Sequence, residues 1–306
     1  MKRVPSSGDP GLPRGPGIAG RRGTFVRTKE HDRKTGSAGQ PVCPRDWMQT
    51  VTGRLILLPL ILSGVWIFET FLFQGWPQVF LSPRPSGLLF YTLMTCVFIG
   101  ILVPVFLMRQ AFLRGDANMH QLGFRSVRRT VLMTSLTLLI VWVAVVLQNP
   151  FGTDRMAFVS VYLLLLPTGI ASAMVCCVLA GTHVQAFVRE RGALVAILAG
   201  TAVSALLFAL SLTAHFPDAV TPVSFLRFFS AGALSALFFF AVRDVWAVSV
   251  VVTGILVWLT DGWLDPAQVF LQYPAVLAAA LLCAGTLAAL HWYLSRHYIT
   301  IPAPHG

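Results

Sequence analysis

The stretch LILLPLILSGVWIFETFLF, residues 55–73, decides the fold class of this chain. It has a single ionisable side chain, that of Glu69. A helix needs roughly 20 mostly apolar residues to cross about 30 Å of hydrocarbon. We therefore predict a transmembrane helix here. Seven further stretches have the same character and are also predicted as helices: residues 87–108, 131–147, 158–181, 193–212, 225–242, 245–259 and 275–292.

Composition supports an all-α integral membrane protein with about eight transmembrane helices. Of the 306 residues, 56% are hydrophobic and only 11% are charged, whereas a soluble domain usually carries about 25% charged residues. The net charge of +11 is compatible with nucleic-acid binding, but ten of the 23 Lys and Arg residues precede Trp47 and most others flank apolar stretches. That distribution is typical of a protein that contacts the lipid bilayer, so we do not expect a nucleic-acid partner.

Three regions follow from this pattern. Residues 1–46 are rich in Gly, Pro, Ser, Lys and Arg, and are predicted to be a disordered basic cytosolic tail because they cannot bury enough apolar surface to fold. An alternative is that this tail binds anionic lipid. Residues 47–298 form the polytopic transmembrane domain, and residues 299–306 form a short C-terminal tail.

The loops predict the orientation in the membrane. The loop between the second and third predicted helices alone contains five arginines. Along the chain, loops rich in Lys and Arg alternate with loops that contain fewer of these residues. Lys and Arg are enriched in cytosolic loops. The tail falls on the same side as the basic loops, so we expect a multi-pass protein of the cell membrane with both termini in the cytosol.

Glu69 is the only acidic residue that lies clearly inside a predicted helix. A carboxylate at that depth is costly unless it is paired, protonated or in contact with water. It is therefore a candidate proton or cation site, which would face His215 or Asp218. The alternative is that the side chain reaches the nearby interface. No pair of histidines has the spacing of helical metal ligands, and the cysteines resemble apolar filler, so we predict neither a metal nor another cofactor.

Several segments resemble the CAAX protease and bacteriocin-processing (CPBP) family of intramembrane metalloproteases. The segment QLGFRSVRRTVL (121–132) looks like the loop that leads into the core of that family. The following segments resemble its core helices: ASAMVCCVLAGTHVQAFVRERGALVAIL (171–198), SALLFALSL (204–212) and SAGALSALFFFAVRDVWAVSVVVTGIL (230–256). The resemblance covers residues 120–260 and implies a CPBP-like helical bundle.

The family's catalytic motifs are apolar in this chain. The resemblance places the paired glutamates of the first motif at Val175 and Cys176, and its arginine at Ala180. The second motif keeps Phe208 but has Leu212 in place of histidine. The last helix has Val252 and Leu256 in place of histidine and asparagine.

The resemblance therefore implies a pseudoenzyme, and three functions stay open. The first is a non-enzymatic scaffold that binds a protein or peptide partner in the membrane. The second is an active metallopeptidase that holds zinc through residues such as Glu190 and His215. The third is a transporter of a small solute or lipid that uses Glu69, although the chain shows no convincing internal repeat.

Overall fold

The computed structural model describes residues 53–75, 79–81, 83–114, 119–148, 155–217, 220–261 and 263–299. The predicted basic tail lies outside the described residues. So do Asp218 and all but Ile299 of the predicted C-terminal tail.

The described residues form helices and contain no strand. Helix α1 is Leu58–Gly75, after a π-helical turn at Gly53–Leu57. Helix α2, Pro85–Leu113, has a π-helical centre at Thr92–Leu102. Helix α4 is one continuous helix over residues 155–191. It consists of the α-helical segment Arg155–Ser172, the π-helical stretch Ala173–Gly181, the α-helical segment Thr182–Val188 and a final 3₁₀ turn at Arg189–Arg191. The others are α3 Val127–Gln148, α5 Ala193–His215, α6 Pro222–Val242, α7 Val245–Leu259, α8 Pro266–Leu271 and α9 Tyr273–Leu294.

Seven of these helices are long and apolar enough to cross a membrane, against the eight that were predicted. The difference is α7, which forms at its predicted position but has 15 residues. At 1.5 Å per residue it is about 22 Å long, shorter than the hydrocarbon layer. The short helix α8 was not predicted, because six residues carry too little periodic signal. The multi-pass character is confirmed.

The predicted turn at Arg243–Asp244 separates α6 from α7. Arg243 adopts a left-handed conformation with φ of 54°, which ends α6. Asp244 then begins α7, because its Oδ1 accepts hydrogen bonds from the amides of Trp246 and Ala247 at 3.0 and 3.1 Å. A carboxylate at this position satisfies amides that have no partner within the helix.

Helix α4 lies at the centre of the bundle and contacts α1, α2, α5, α6, α7 and α9. Of its membrane-spanning part 89% is buried, compared with 11% for α3. Small residues permit close packing around α4. A Cβ added to Gly100 of α2 would lie 2.6 Å from Cβ of Ala171, and one added to Gly200 of α5 would lie 2.8 Å from the carbonyl oxygen of Gly181. The helices therefore approach by backbone contact, as small residues allow in lipid.

The bundle has two ends, which we name after His215 and Arg243. At the His215 end, α1, α3 and α5 finish while α2, α4 and α6 begin. At the Arg243 end, α6 meets α7, and α3 begins beside them. Contacts between distant residues fix this arrangement: Tyr91 bonds His215 at one end, and Thr130 bonds Asp244 at the other.

Candidate functional site

One face of α1 is polar and points into the bundle. Ser63, Trp66, Thr70 and Gln74 recur at helical spacing and are all buried. The opposite face is apolar and exposed, as at Phe68. A surface helix of a water-soluble protein buries its apolar side and exposes its polar side. The reverse arrangement is that of a membrane helix lining a polar site, because polar side chains in spans face the interior of the bundle.

The π-helical part of α2 supplies the facing wall. Tyr91, Thr92, Thr95 and Cys96 lie in or next to it and are buried. From α4, Thr168 lies beside both Tyr91 and Cys96. π-Helical turns within α-helices occur frequently at functional sites. Helices α1, α2 and α4 thus enclose a polar cluster toward the His215 end.

His215 closes this cluster from the end of α5. Its Nδ1 donates to the carbonyl oxygen of Ser211 at 2.7 Å. In the neutral ring Nε2 then accepts, and the hydroxyl of Tyr91 donates to it at 2.9 Å. Phe80 stacks on the imidazole with ring centroids 5.7 Å apart and planes inclined by 6°. Trp66 packs on it from α1, with centroids 6.1 Å apart. His215 is thus held in one orientation and joins α5 to α2.

Glu69 lies next to the same wall, three residues after Trp66. Its carboxylate is beside Thr95, one helical turn beyond the tyrosine that binds His215. The residue as a whole is half-buried. Its Oε2 is buried and accepts no hydrogen bond of good geometry from the described part of the chain, although the hydroxyl of Thr95 is close to the carboxylate. Glu69 and His215 therefore lie beside neighbouring turns of α2, and their pairing stays a prediction. Asp218 falls outside the described residues.

Several other buried polar atoms of α1, α2 and α4 also make no hydrogen bond of good geometry with the residues that the structure describes. They are Trp66 Nε1, Thr70 Oγ1, Gln74 Nε2, Thr92 Oγ1, Thr95 Oγ1, Thr168 Oγ1 and Ser172 Oγ. Leaving a buried polar group unsatisfied costs about 1–3 kcal/mol. Such groups are normally satisfied by ordered water or a ligand. The cluster therefore has the chemistry of a hydrated or ligand-binding site.

The donor set limits what this site can bind. One carboxylate and several hydroxyls offer oxygen ligands, which suit a proton, an alkali cation or a hydroxylated solute. The unpartnered Trp66 Nε1 and Gln74 Nε2 are donors, because Gln74 Oε1 already accepts from the amide of Phe80. In the described portion, no group of three or more His, Cys, Asp and Glu residues is arranged to hold a metal ion. Both ring nitrogens of His215 already have protein partners.

The motif positions from the CPBP resemblance lie in the hydrophobic core. Val175, Cys176 and Ala180 belong to the π-helical stretch of α4, while Phe208 and Leu212 lie on α5. With Val252 and Leu256 of α7 they are at most 1% exposed and form part of one packed cluster. Helix α4 packs against both α5 and α7.

Glu190 and His215 do not share a site. Glu190 is exposed in the turn before α5, and His215 is buried at the far end of that helix. The 23 residues of α5 separate them by about 35 Å. The Glu190–His215 pair therefore cannot hold one zinc ion in this fold.

The Arg243 end is held by a second polar network. Asp244 is fully buried and its Oδ2 accepts from the hydroxyl of Thr130 at 2.7 Å. Arg243 donates to the carbonyl oxygen of Gln121 at 2.9 Å and to the side chain of Gln185. Burial lowers the pKa of the Arg243 guanidinium to about 10, and the nearby Arg125 contributes to the shift. These bonds join the 119–126 loop to α4, α6 and α7, so the network has a structural role.

Comparisons with known proteins leave the site to be interpreted from its own chemistry. No family model, curated protein or solved structure matches this chain. Sequence reasoning found Glu69 and His215 because an ionisable side chain stands out in an apolar run. It missed Trp66, Tyr91 and Thr95. The spacing of Ser63, Trp66, Thr70 and Gln74 was the available signal.

Proposed function

We propose that this chain is a multi-pass protein of the cell membrane that binds a proton or small cation at Glu69 and couples it to movement of an ion or small solute. The observation that carries the proposal is Glu69, a half-buried carboxylate beside Thr95. Its Oε2 is buried and accepts no hydrogen bond of good geometry in the described part of the fold. An ionisable residue inside a membrane span is costly to keep and usually marks an ion or proton pathway.

The surroundings of Glu69 support a role in binding and transporting an ion rather than a purely structural role. A purely structural carboxylate would be expected to have fixed partners, as Asp244 has in Thr130 and two backbone amides. Glu69 has the hydroxyl of Thr95 nearby and a row of hydroxyl and amide groups along α1 and α2. These groups can solvate a proton or cation that arrives at the carboxylate.

The direct test is flux through the purified full-length protein in liposomes. A pH-sensitive dye inside the liposomes reports proton entry when a potassium gradient with valinomycin sets the membrane potential. Sodium and potassium entry is followed with the corresponding indicator dyes. We expect entry of at least one of these ions above the rate of protein-free liposomes. Correctly folded protein that leaves all three rates at background contradicts the carrier proposal.

A second proposal retains the CPBP-like scaffold as a non-enzymatic binder of a transmembrane partner. It is supported by the packing of α4, which carries the first motif positions, against both α5 and α7, which carry the others. The outward side of α7 lines a groove of about 560 Å³ that also contacts α3 and α6, and Ile255 and Trp258 lie on its floor. The apolar lining suits a single apolar helix.

Photo-crosslinking tests this second proposal. A diazirine amino acid at Ile255 is expected to crosslink one defined membrane protein in cells. The same residue placed at Leu281, which is exposed on α9, serves as the control and should label only lipid. Equal labelling at the two positions contradicts partner binding in the groove.

A further inference from the structure

A pocket of about 430 Å³ opens between α3, α7 and α9 at the Arg243 end. It lies far along the bundle from Glu69 and shares no residue with the polar cluster. Its walls are mainly apolar, with hydroxyl groups and one imidazole among them. The lining includes Val127, Val131, Thr134, Trp246, His291 and Trp292.

His291 brings an unsatisfied acceptor to this pocket. The side chain is 4% exposed, and its Nε2 lies 2.9 Å from the carbonyl oxygen of Arg125. A carbonyl oxygen only accepts, so Nε2 carries the hydrogen. In the neutral ring Nδ1 then has a free lone pair. Nδ1 is buried and has no partner among the described residues.

Thr134 adds a second such group. Its Oγ1 is also buried and has no partner in the described portion of the chain. By contrast, the hydroxyl of Thr130, one turn earlier on α3, is already bonded to Asp244. The pocket therefore presents one acceptor and one hydroxyl that a ligand with its own hydroxyl group would satisfy.

Two arginines lie next to residues that line the pocket, since Arg128 follows Val127 in sequence and Arg296 packs on Trp292. Arg128 is exposed in the first turn of α3. Arg296 lies over the ring of Trp292, with its guanidinium carbon 4.0 Å from the ring centroid. Basic pockets between membrane helices bind anionic headgroups, and an aromatic side chain at such a position suits the interface.

We propose that this pocket binds an anionic phospholipid whose headgroup carries a free hydroxyl, of which phosphatidylglycerol is the simplest example. The headgroup hydroxyl donates to Nδ1 of His291 and bonds Thr134, the phosphate lies against Arg128 and Arg296, and an acyl chain occupies the apolar wall. A lipid without a hydroxyl would leave both buried atoms unsatisfied. The pocket contains neither Glu69 nor any residue of the polar cluster between α1, α2 and α4, so lipid binding here is independent of the proposed function.

Native mass spectrometry of the full-length protein in mild detergent tests the lipid proposal. The protein is offered equal amounts of phosphatidylglycerol, phosphatidylmethanol and phosphatidylcholine. Phosphatidylmethanol has the same charge as phosphatidylglycerol but no free hydroxyl. We expect retention of phosphatidylglycerol to exceed that of phosphatidylmethanol by about tenfold, the effect of one well-made buried hydrogen bond. Phosphatidylcholine should bind least.

Substitutions test which side chains produce the preference for phosphatidylglycerol. Thr134→Val and His291→Phe are each expected to reduce binding of phosphatidylglycerol to the level of phosphatidylmethanol. Arg128→Gln combined with Arg296→Gln should weaken both anionic lipids relative to phosphatidylcholine. Thr286→Val, on α9 and outside this pocket, is the matched control and should change nothing; its hydroxyl bonds the carbonyl oxygen of Leu282.

Two results overturn the lipid proposal: equal retention of the two anionic lipids by the wild-type protein, or an unchanged preference in Thr134→Val. His291→Phe can fail to fold, because His291 also binds the backbone carbonyl of Arg125. In that case the Thr134→Val variant alone tests the proposal. Loss of ion flux through liposomes would leave this lipid preference intact, so the two proposals fail separately.

Discussion

Replacing Glu69 with glutamine is expected to reduce ion flux through the protein by about tenfold or more, to the rate of protein-free liposomes. The amide has nearly the same shape as the carboxyl group but does not exchange a proton or carry a charge. The folded protein should tolerate the change, because the variant removes the cost of an ionisable group inside the bilayer. The measurement is the dye-based flux assay, together with thermal unfolding in detergent.

Glu190→Gln is the matched control for this variant. Glu190 is the other glutamate among the described residues and is exposed in the turn before α5. It should keep wild-type flux. Thr95→Val should reduce flux less than Glu69→Gln, because it removes a neighbouring hydroxyl and leaves the carboxyl group in place. Wild-type flux in a folded Glu69→Gln protein would end the carrier proposal.

Replacing Asp244 with alanine is expected to destabilise the fold by about 2–4 kcal/mol, the largest stability effect that we predict. The change removes the helix cap of α7 and leaves the Thr130 hydroxyl and two amides without their acceptor. A lost cap costs about 1 kcal/mol, and a buried unsatisfied group costs about 1–3 kcal/mol. Thermal or denaturant unfolding of the purified protein measures the difference.

Asp265→Ala is the control for the helix cap. Asp265 begins α8 and accepts from the amide of Ala267 at 3.0 Å, but it is exposed. Water replaces its carboxylate there, so the loss should be about 0.5–1 kcal/mol. Equal destabilisation by the two substitutions would mean that burial of Asp244 and its bond to Thr130 add nothing to the cap.

Much of the fold was predictable because hydropathy dominates a membrane sequence. Five of the seven long helices extend beyond their predicted ends by at most five residues, while α4 continues ten residues farther than predicted, to Arg191. The turn at Arg243–Asp244 lies where predicted. The position of each helix in the bundle was not predictable. Helices α3 and α4 both consist of apolar runs, yet only 11% of the spanning part of α3 is buried, compared with 89% for α4. In lipid both faces of a helix can be apolar, so composition alone does not identify the central helix.

The candidate site was predictable only where a residue was chemically unusual for its surroundings. Glu69 stood out as a carboxylate in a span, and His215 as an imidazole at a helix end. Tyr91 and Thr95 did not, because hydroxyl and aromatic residues are common in apolar helices. Their role depends on partners from other helices, namely His215 of α5 for Tyr91 and Glu69 of α1 for Thr95. The side of the membrane at which the Arg243 end lies, and the CPBP resemblance, stay predictions.

The central claim is that Glu69 is a proton- or cation-binding group inside the bundle, and infrared difference spectroscopy tests it most directly. Spectra of the reconstituted protein are compared across pH and with added sodium or potassium. The account predicts a carboxyl band that responds to proton or cation binding in the wild-type protein, persists in Glu190→Gln and is lost in Glu69→Gln. Identical difference spectra for the wild-type and Glu69→Gln proteins would contradict it.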